Sequence, residues 1–299
     1  MIRRPPRSTQ SRSSAASDVY KRQIFISSAA LLKTDEKLIN YVDPFIGSGG
    51  HGHVFVGANV PFGGVQVGPT NFNKGWDWSS SYHHTDSIVK GFCHINVSGT
   101  GMSDLGELTI MPATGKLKTG AGTQENHMAG YSSLYRKNKE FATAGYYKVH
   151  LERYDIDVEL TATERVGLHN YIFPYAEKSR IIIDLGEGSA DRPTETYIKK
   201  VNDTLFEGHR FSTGWARDQR EYFSLVISKP VSDFIIYDRH KKFKGIERKG
   251  DYVKGFLEFS TDKDEKIMVK MGVSTVSSKN ALENMMIELP HWDLSLIHI

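Results

Sequence analysis

Two tryptophans flank one carboxylate in the run Trp76-Asp77-Trp78, and Tyr82 follows four residues later. A saccharide presents apolar C–H faces and many hydroxyl groups, so an aromatic platform beside a carboxylate acceptor suits saccharide binding. The same residue types also serve as core anchors. The residues alone leave both roles open for Trp76 and Trp78.

Histidines form a second group with chemical potential. His51 and His53 are two residues apart, so their side chains point the same way on an extended segment, and His83 and His84 would add imidazoles to a metal site. No carboxylate stands at a familiar ligand spacing. We therefore predict hydrogen-bonded histidines that line a polar cleft and no metal site in this chain.

Asp184 and Glu187 are two acids three residues apart, and glycosidases use pairs of acids. A strand end followed by a solvated turn explains them more simply, and we predict that arrangement. Cys93 lies in an apolar run and is predicted to be a buried small side chain. As the single cysteine of the chain, it excludes an intrachain disulfide.

Charge and hydropathy exclude further classes of function. The net charge of +3 arises in the first 23 residues, which hold six Lys or Arg against one Asp, so the rest of the chain is near neutral. A general nucleic-acid binder would carry clustered basic charge on its folded part. No apolar run reaches the roughly 18 residues of a membrane span. We expect neither a nucleic-acid partner nor a membrane-spanning helix.

The elements that would position these side chains are mostly strands. Apolar and polar residues alternate along 147–151 and again along 156–160, which predicts an antiparallel hairpin. Further strands are predicted at 166–173, 180–185, 196–201, 221–227, 233–237, 252–259 and 266–273. Many short strands without intervening helices predict a sandwich or barrel. Residues 40–115 are rich in loops and are predicted to hold only short strands, such as 64–67 and 108–111. Long loops are commonly functional.

One helix is predicted near the C-terminus, capped by Asn280 with Glu283 three residues on, and ended by Pro290. Its apolar face is predicted to comprise Ala281, Leu282, Met285, Met286 and Leu289.

The two ends of the chain differ in character from its body. Residues 1–23 are rich in Arg and Ser and resemble a translated sequencing adapter, and residues 294–299 resemble the matching artefact at the other end. Residues 24–37 read as a signal-peptide remnant and linker, with the apolar stretch 24–32 as its core. This interpretation predicts that the parent protein is exported.

Taken in order, the loops resemble the amino-terminal domain of glycoside hydrolase family 92, whose members are exo-acting α-mannosidases. The matching runs are YVDPFIGSGGHGH at 41–53, GANVPFGGVQ at 57–66, GWDWSSSYHHTD at 75–86 and GFCHINVSGTG at 91–101. The resemblance implies a mostly β fold over residues 38–276, an antiparallel β-supersandwich similar to galactose mutarotase. Residues 277–293 would be the short C-terminal helix that begins the linker to an (α/α)6 catalytic domain missing from this chain.

The resemblance also implies a parent enzyme that is calcium-dependent and inverting, and that removes mannose from N-glycans or mannan in glycoprotein catabolism. Its general acid, general base and most Ca²⁺ ligands would lie in the missing domain. This chain would be the accessory, carbohydrate-binding part, inactive alone and without catalytic residues. Its partners would be that domain and mannose-containing glycans, contacted by Trp76, Asp77, Trp78, His51, His53, Ser98, Gly99, Thr100 and Gly101.

Two alternatives belong to other classes of function. The sandwich acts by itself as a carbohydrate-binding module, or it is a mutarotase-like sugar epimerase. An epimerase needs a His and Glu pair on the concave sheet, for which His169 and Glu187 are the candidates.

Overall fold

The computed structural model describes residues 38–295. The adapter-like segment 1–23, the predicted signal remnant and linker 24–37, and residues 296–299 of the predicted artefactual tail lie outside the described residues. Residues 38–41 form a short 3-10 turn. From residue 42 onward the described chain belongs to a separate compact unit.

The second unit is built from antiparallel strands and one α-helix within residues 42–295. The strands are β1 Gly68–Thr70, β2 Ile88–Val89, β3 Gly91–Cys93, β4 Thr109–Thr114, β5 Ser133–Leu134, β6 Glu140–Thr143, β7 Tyr146–Leu151, β8 Ile156–Ala162, β9 Val166–Phe173, β10 Ala176–Asp184, β11 Arg192–Lys200, β12 Leu205–Thr213, β13 Gln219–Ile227, β14 Asp233–Asp238, β15 Lys241–Phe243, β16 Glu247–Gly250, β17 Val253–Thr261 and β18 Glu265–Ser274. The helix is α1 Ser278–Glu288.

Two large sheets pack face to face. One has the strand order β1-β3-β4-β10-β17-β14-β15, the other has the order β16-β11-β12-β13-β18-β9-β8-β7-β6, and β2 pairs with β5 beside them. Both sheets send apolar side chains into one core. The predicted fold class, a mostly β antiparallel sandwich with one helix near the C-terminus, is confirmed. None of the helices in the described chain is both long and apolar enough to cross a bilayer.

The predicted hairpin is confirmed as β7 and β8. Tyr147, Val149 and Leu151 are buried while the residues between them are half-buried, and Tyr147 pairs with Leu160 across the ladder. The turn between the strands places Asp155 at a φ of 51°, a left-handed conformation that Asp tolerates better than most residues. Alternating hydrophobicity therefore located this pair correctly.

Strand β12 is absent from the strands predicted from the sequence. Its buried side chains are Phe206, Gly208, Arg210 and Ser212. Because only the first of these is a large apolar residue, the strand lacks the alternation that identifies a half-buried strand. The predicted strand at 64–67 is wrong, since that segment makes one isolated bridge, between Ala58 and Val67, and β1 follows it.

The helix is where it was predicted, but its cap and its buried face differ. The Ser277 hydroxyl accepts a hydrogen bond from the Asn280 backbone N–H at 3.1 Å, so Ser277 is the N-cap and Asn280 lies in the first turn. Ala281 and Met285 are buried against the outer face of the nine-stranded sheet, whereas Met286 is 63% exposed. The predicted apolar face was therefore wrong at Met286.

Met285→Ala tests this packing against the adjacent methionine. The buried Met285 side chain is 2% exposed, so its truncation should lower the free energy of unfolding by about 2 to 5 kcal/mol. Met286→Ala, the matched control, should change it by less than about 0.5 kcal/mol. Urea unfolding followed by circular dichroism measures both. Equal losses in the two variants would contradict the docking of this helix.

Candidate functional site

Glycines shape the loop that carries the two candidate histidines. Gly47 and Gly50 adopt positive φ angles, and the Val54 backbone N–H donates to the Gly47 carbonyl at 3.1 Å. A Cβ at Gly52 would lie 1.9 Å from the Gly47 oxygen, so only glycine fits there. His53 is itself left-handed, at a φ of 55°. The tight loop thereby fixes the backbone from which His51 and His53 project.

The run Trp76-Asp77-Trp78 forms a single 3-10 turn at the surface. The Ser79 hydroxyl closes it by donating to the Trp76 carbonyl at 2.5 Å. Trp76 is 56% exposed. A core role for Trp76, left open by the sequence, is thereby excluded.

The two histidine rings and Asp77 surround Trp76. Asp77 Oδ1 lies 2.6 Å from His51 Nδ1 and 3.7 Å from His53 Nε2. The His53 ring meets the indole edge-on, with centroids 4.3 Å apart, and the His51 ring lies at 5.2 Å. The His51 hydrogen bond holds the pKa of Asp77 below its ordinary value, so this carboxylate remains an acceptor near neutral pH.

The loop 98–101 closes the other side of this cluster. The Trp76 indole N–H donates to the Gly101 carbonyl at 2.6 Å, and the Gly99 backbone N–H donates to the His53 carbonyl at 2.7 Å. Ser98 Oγ accepts from the Phe55 backbone N–H at 3.1 Å. The structure therefore brings together most of the residues predicted for substrate contact: Trp76, Asp77, His51, His53, Ser98, Gly99 and Gly101.

Trp78 and Thr100 stand apart from this group. Trp78 stacks on His83 with centroids 4.3 Å apart, and its N–H donates to Asp86 at 3.0 Å. Its ring is therefore occupied by protein contacts. The side chain of Thr100 makes no hydrogen bond to the cluster in the described chain.

The histidines do not assemble a metal site. His83 Nε2 lies 3.2 Å from the Gly50 carbonyl and Nδ1 lies 2.8 Å from the Thr85 hydroxyl, so both ring nitrogens have protein partners. Within residues 38–295 no group of three or more His, Cys, Asp or Glu side chains is placed to hold a metal ion.

The two acids at the end of β10 are held in ion pairs. Asp184 is buried and lies 2.5 Å from Lys254, its cross-strand neighbour, and it accepts a hydrogen bond from the Tyr131 hydroxyl. Glu187 lies 2.7 Å from Lys90. A strand end followed by a turn is confirmed, but Asp184 is not solvated, because Lys254 balances its charge inside the protein.

The candidates for an epimerase pair have protein partners as well. His169 is fully buried, with Nε2 2.9 Å from His94 Nε2 and Nδ1 2.7 Å from the Tyr171 hydroxyl. Burial lowers the pKa of His94 to about 4 and that of His169 well below its ordinary value. Neither ring reaches solvent, so this arrangement offers no support for a base acting on a sugar. Cys93 is buried as predicted, and burial raises the pKa of its thiol.

A buried charge cluster that sequence reasoning missed lies behind the loops. Arg210 has no exposed side-chain surface and contacts Glu107 at 2.8 Å and Asp191. Burial raises the pKa of Glu107 to about 8, with Asp191 adding to the effect and Arg210 opposing it. Arg210 at a buried position of β12 could have indicated the cluster. Its burial can be inferred only once β12 is known to be a strand.

Comparison with known proteins gives consistent matches. The model described as the glycosyl hydrolase family 92 N-terminal domain matches residues 41–274. A solved family GH92 α-mannosidase from Bacteroides thetaiotaomicron is 31% identical, with a TM-score of 0.85 over 88% of this chain and 36% of its own. The same enzyme has been solved in complex with mannoimidazole.

Two more distant relatives share the same region. A family GH92 inverting mannosidase from Bacteroides thetaiotaomicron has the same fold, at 24% identity and a TM-score of 0.75 over 89% of this chain and 35% of its own. An uncharacterized secreted glycosidase of Arthroderma benhamiae is 23% identical over 87% of this chain and 36% of its own length. The chain thus spans about a third of the length of these relatives.

Gly101→Ala tests the packing of the loop against the indole. The new Cβ would lie 2.8 Å from Trp76 Nε1, so the ring must shift and its hydrogen bond to residue 101 must weaken. The Trp76 indole N–H signal in a ¹⁵N NMR spectrum, assigned with Trp76→Phe, should move. Gly120→Ala, where nothing lies within 4 Å of the added Cβ, should leave it in place. An unmoved signal in Gly101→Ala would contradict the contact.

Glu107→Gln tests the buried charge cluster. Because the folded-state pKa is raised, the folded protein holds this proton more tightly, and that stabilisation is complete below about pH 4.5 and lost as the pH rises through about 8. Glutamine mimics the protonated form, so the loss of stability between about pH 6 and pH 9 should be smaller in the variant. Urea midpoints measure this, with the exposed Glu164→Gln as control. A variant as pH-sensitive as the parent chain would contradict the assignment.

Proposed function

The chain belongs to the glycosyl hydrolase family 92 N-terminal domain family, and from that premise we propose that it is the accessory, carbohydrate-binding part of an exo-acting α-mannosidase. In this proposal it supplies one wall of a sugar-binding cleft and no catalytic group. The exposed Trp76 ring beside the Asp77 carboxylate carries the proposal.

The chemistry of this pair suits the edge of a sugar ring. The exposed indole offers an apolar face to C–H groups, and Asp77, 30% exposed, accepts hydrogen bonds from hydroxyl groups. His53 Nε2 is buried 3.7 Å from Asp77 Oδ1 and makes no hydrogen bond among the described residues. Because the surrounding loops already hold these groups, little ordering entropy opposes binding.

The names of the relatives support mannose as the sugar that this chain contacts. The enzyme at 31% identity is an α-mannosidase and was solved with mannoimidazole. We therefore propose that the chain contacts terminal mannose of N-glycans or mannan, through the cluster around Trp76, in the setting of glycoprotein catabolism.

The catalytic groups of the proposed parent enzyme would belong to a protein longer than this chain. Inverting hydrolysis needs a general acid and a general base on opposite sides of the scissile bond. Asp184 and Glu187 are both engaged by lysines, and Asp77 by His51. We propose that the acid, the base and the Ca²⁺ ligands are contributed by an (α/α)6 domain outside this chain, with residues 277–293 leading toward it.

The proposal that the parent protein is exported also rests on a relative. One of them is described as a secreted glycosidase. The apolar stretch at 24–32 is consistent with a signal-peptide remnant. We propose a periplasmic, cell-surface or secreted location for the parent.

A second candidate function is an autonomous carbohydrate-binding module. The observation that favours it is that groups of this chain already hold the Trp76 cluster in place, since Asp77 is bonded to His51 and the Trp76 indole to the Gly101 carbonyl. Such a module would bind manno-oligosaccharides tightly without any other domain.

Activity assays with the 299-residue chain test the accessory role. We expect no release of mannose from α-1,2-mannobiose in the presence of Ca²⁺, because Asp184 and Glu187, the acids considered as a catalytic pair, are both held in ion pairs with lysines. Measurable turnover would refute the proposal.

Binding assays with Trp76→Ala separate the two candidate functions. In an accessory role, calorimetry should detect millimolar or weaker binding of manno-oligosaccharides, and Trp76→Ala should weaken it about tenfold, or about 1.4 kcal/mol. Trp215→Ala is the matched control, since Trp215 is 70% exposed and lies outside the cluster. Micromolar binding abolished by Trp76→Ala would favour the autonomous module, and equal effects of both variants would contradict a sugar site at Trp76.

A further inference from the structure

A cavity separate from the cluster around Trp76 lies beside the start of α1. Its volume is about 450 Å³, within the range of about 300 to 1,000 Å³ common for small-molecule sites. The strand β13, the segment 273–276 and the helix contribute to its lining. None of its lining residues belongs to the cluster around Trp76.

Glu221 is the unusual group in this cavity. It shares a strand face with Phe223, whose ring is in the core, because residues two apart on a strand point the same way. Within the described chain its carboxyl makes no hydrogen bond or ion pair. Burial alone raises its pKa to about 7. Buried polar groups are normally satisfied by protein, water or ligand, and a desolvated acid in a cleft marks a candidate binding site.

The remaining walls combine aliphatic surface with neutral and cationic polar groups. Val65, Ile95 and Val273 provide the apolar part. Asn284 donates from Nδ2 to the Val273 carbonyl at 2.9 Å, which leaves its side-chain oxygen as an acceptor. Arg165 is fixed through Nε to Glu288 at 2.5 Å, which leaves its terminal nitrogens as donors.

We propose that this cavity binds a neutral, polyhydroxylated ligand of monosaccharide size, with Glu221 as the group that hydrogen-bonds its hydroxyls. A carboxyl that is partly protonated near neutral pH both donates and accepts, as hydroxyl groups require. A metal ion would need more anionic ligands, and no group of three is available in residues 38–295. The nearby Arg165 also disfavours a cationic ligand. This inference does not depend on the function proposed for Trp76.

Titration of the ¹⁵N-labelled 299-residue chain with methyl α-D-mannopyranoside tests the proposal. The backbone amides of Thr275 and Val276 and the Asn284 side-chain amide should show saturable shifts at millimolar ligand. Glu221→Leu should weaken this binding at least tenfold, because Glu221 carries the only acid among the described residues that line the cavity. Glu207→Gln on the outward face of β12 is the matched control and should not change it.

A second variant guards against a folding defect. Thr275 is exposed at the cavity, so Thr275→Trp should be tolerated and should obstruct it, again weakening binding at least tenfold. Trp76→Ala should leave the shifts at these amides unchanged, which separates this cavity from the first site. Shifts that fail to saturate, or that persist in both Glu221→Leu and Thr275→Trp, would overturn the proposal. Saturable shifts with methylammonium or CaCl₂, but not with the mannoside, would overturn it too.

Discussion

The ion pairs of the buried Arg210 guanidinium hold together the end of the sandwich from which the long loops emerge. It projects from β12, contacts Glu107 and Asp191, and donates from Nε to the Leu185 carbonyl at 3.0 Å. Removing one partner of a buried charge commonly costs about 3 to 5 kcal/mol, so the segments before β4 and β11 and after β10 must keep their positions. This one side chain thereby ties strands of both sheets together at the end where the loops emerge.

The loop that contacts Trp76 is continuous in the chain with Glu107 of this charge cluster. Asp104, three residues before Glu107, accepts from the Trp215 backbone N–H at 3.0 Å and from the Gln219 side chain at 2.9 Å. The other end of the loop meets the Trp76 indole at Gly101. An indole held by anchored loops keeps its orientation while its face stays exposed, and such preorganisation reduces the entropic cost of binding a sugar.

The acidic side chains of this protein have different environments, and these separate structural from functional candidates. Asp184 and Glu187 are neutralised by lysines, and Glu107 shares an arginine with Asp191. Asp77 is partly exposed and its pKa is lowered, whereas Glu221 is unpaired and its pKa is raised by burial. The paired acids are engaged by cationic groups of the protein, whereas an exposed ionised acceptor and an unpaired desolvated acid leave hydrogen-bonding capacity for a ligand.

The sequence by itself determined the mostly antiparallel architecture, the β7–β8 hairpin, the position of the helix and the family, because alternation and loop motifs are local patterns. It did not determine β12, whose buried face carries Arg210 in place of an apolar residue. Tertiary structure alone decided that Trp76 faces solvent while Trp78 stacks on His83, and that Asp184 is buried against Lys254. The orientation and charge pairing of these side chains depend on residues that are distant in the chain. Residue type and spacing do not indicate where those residues lie in the folded protein.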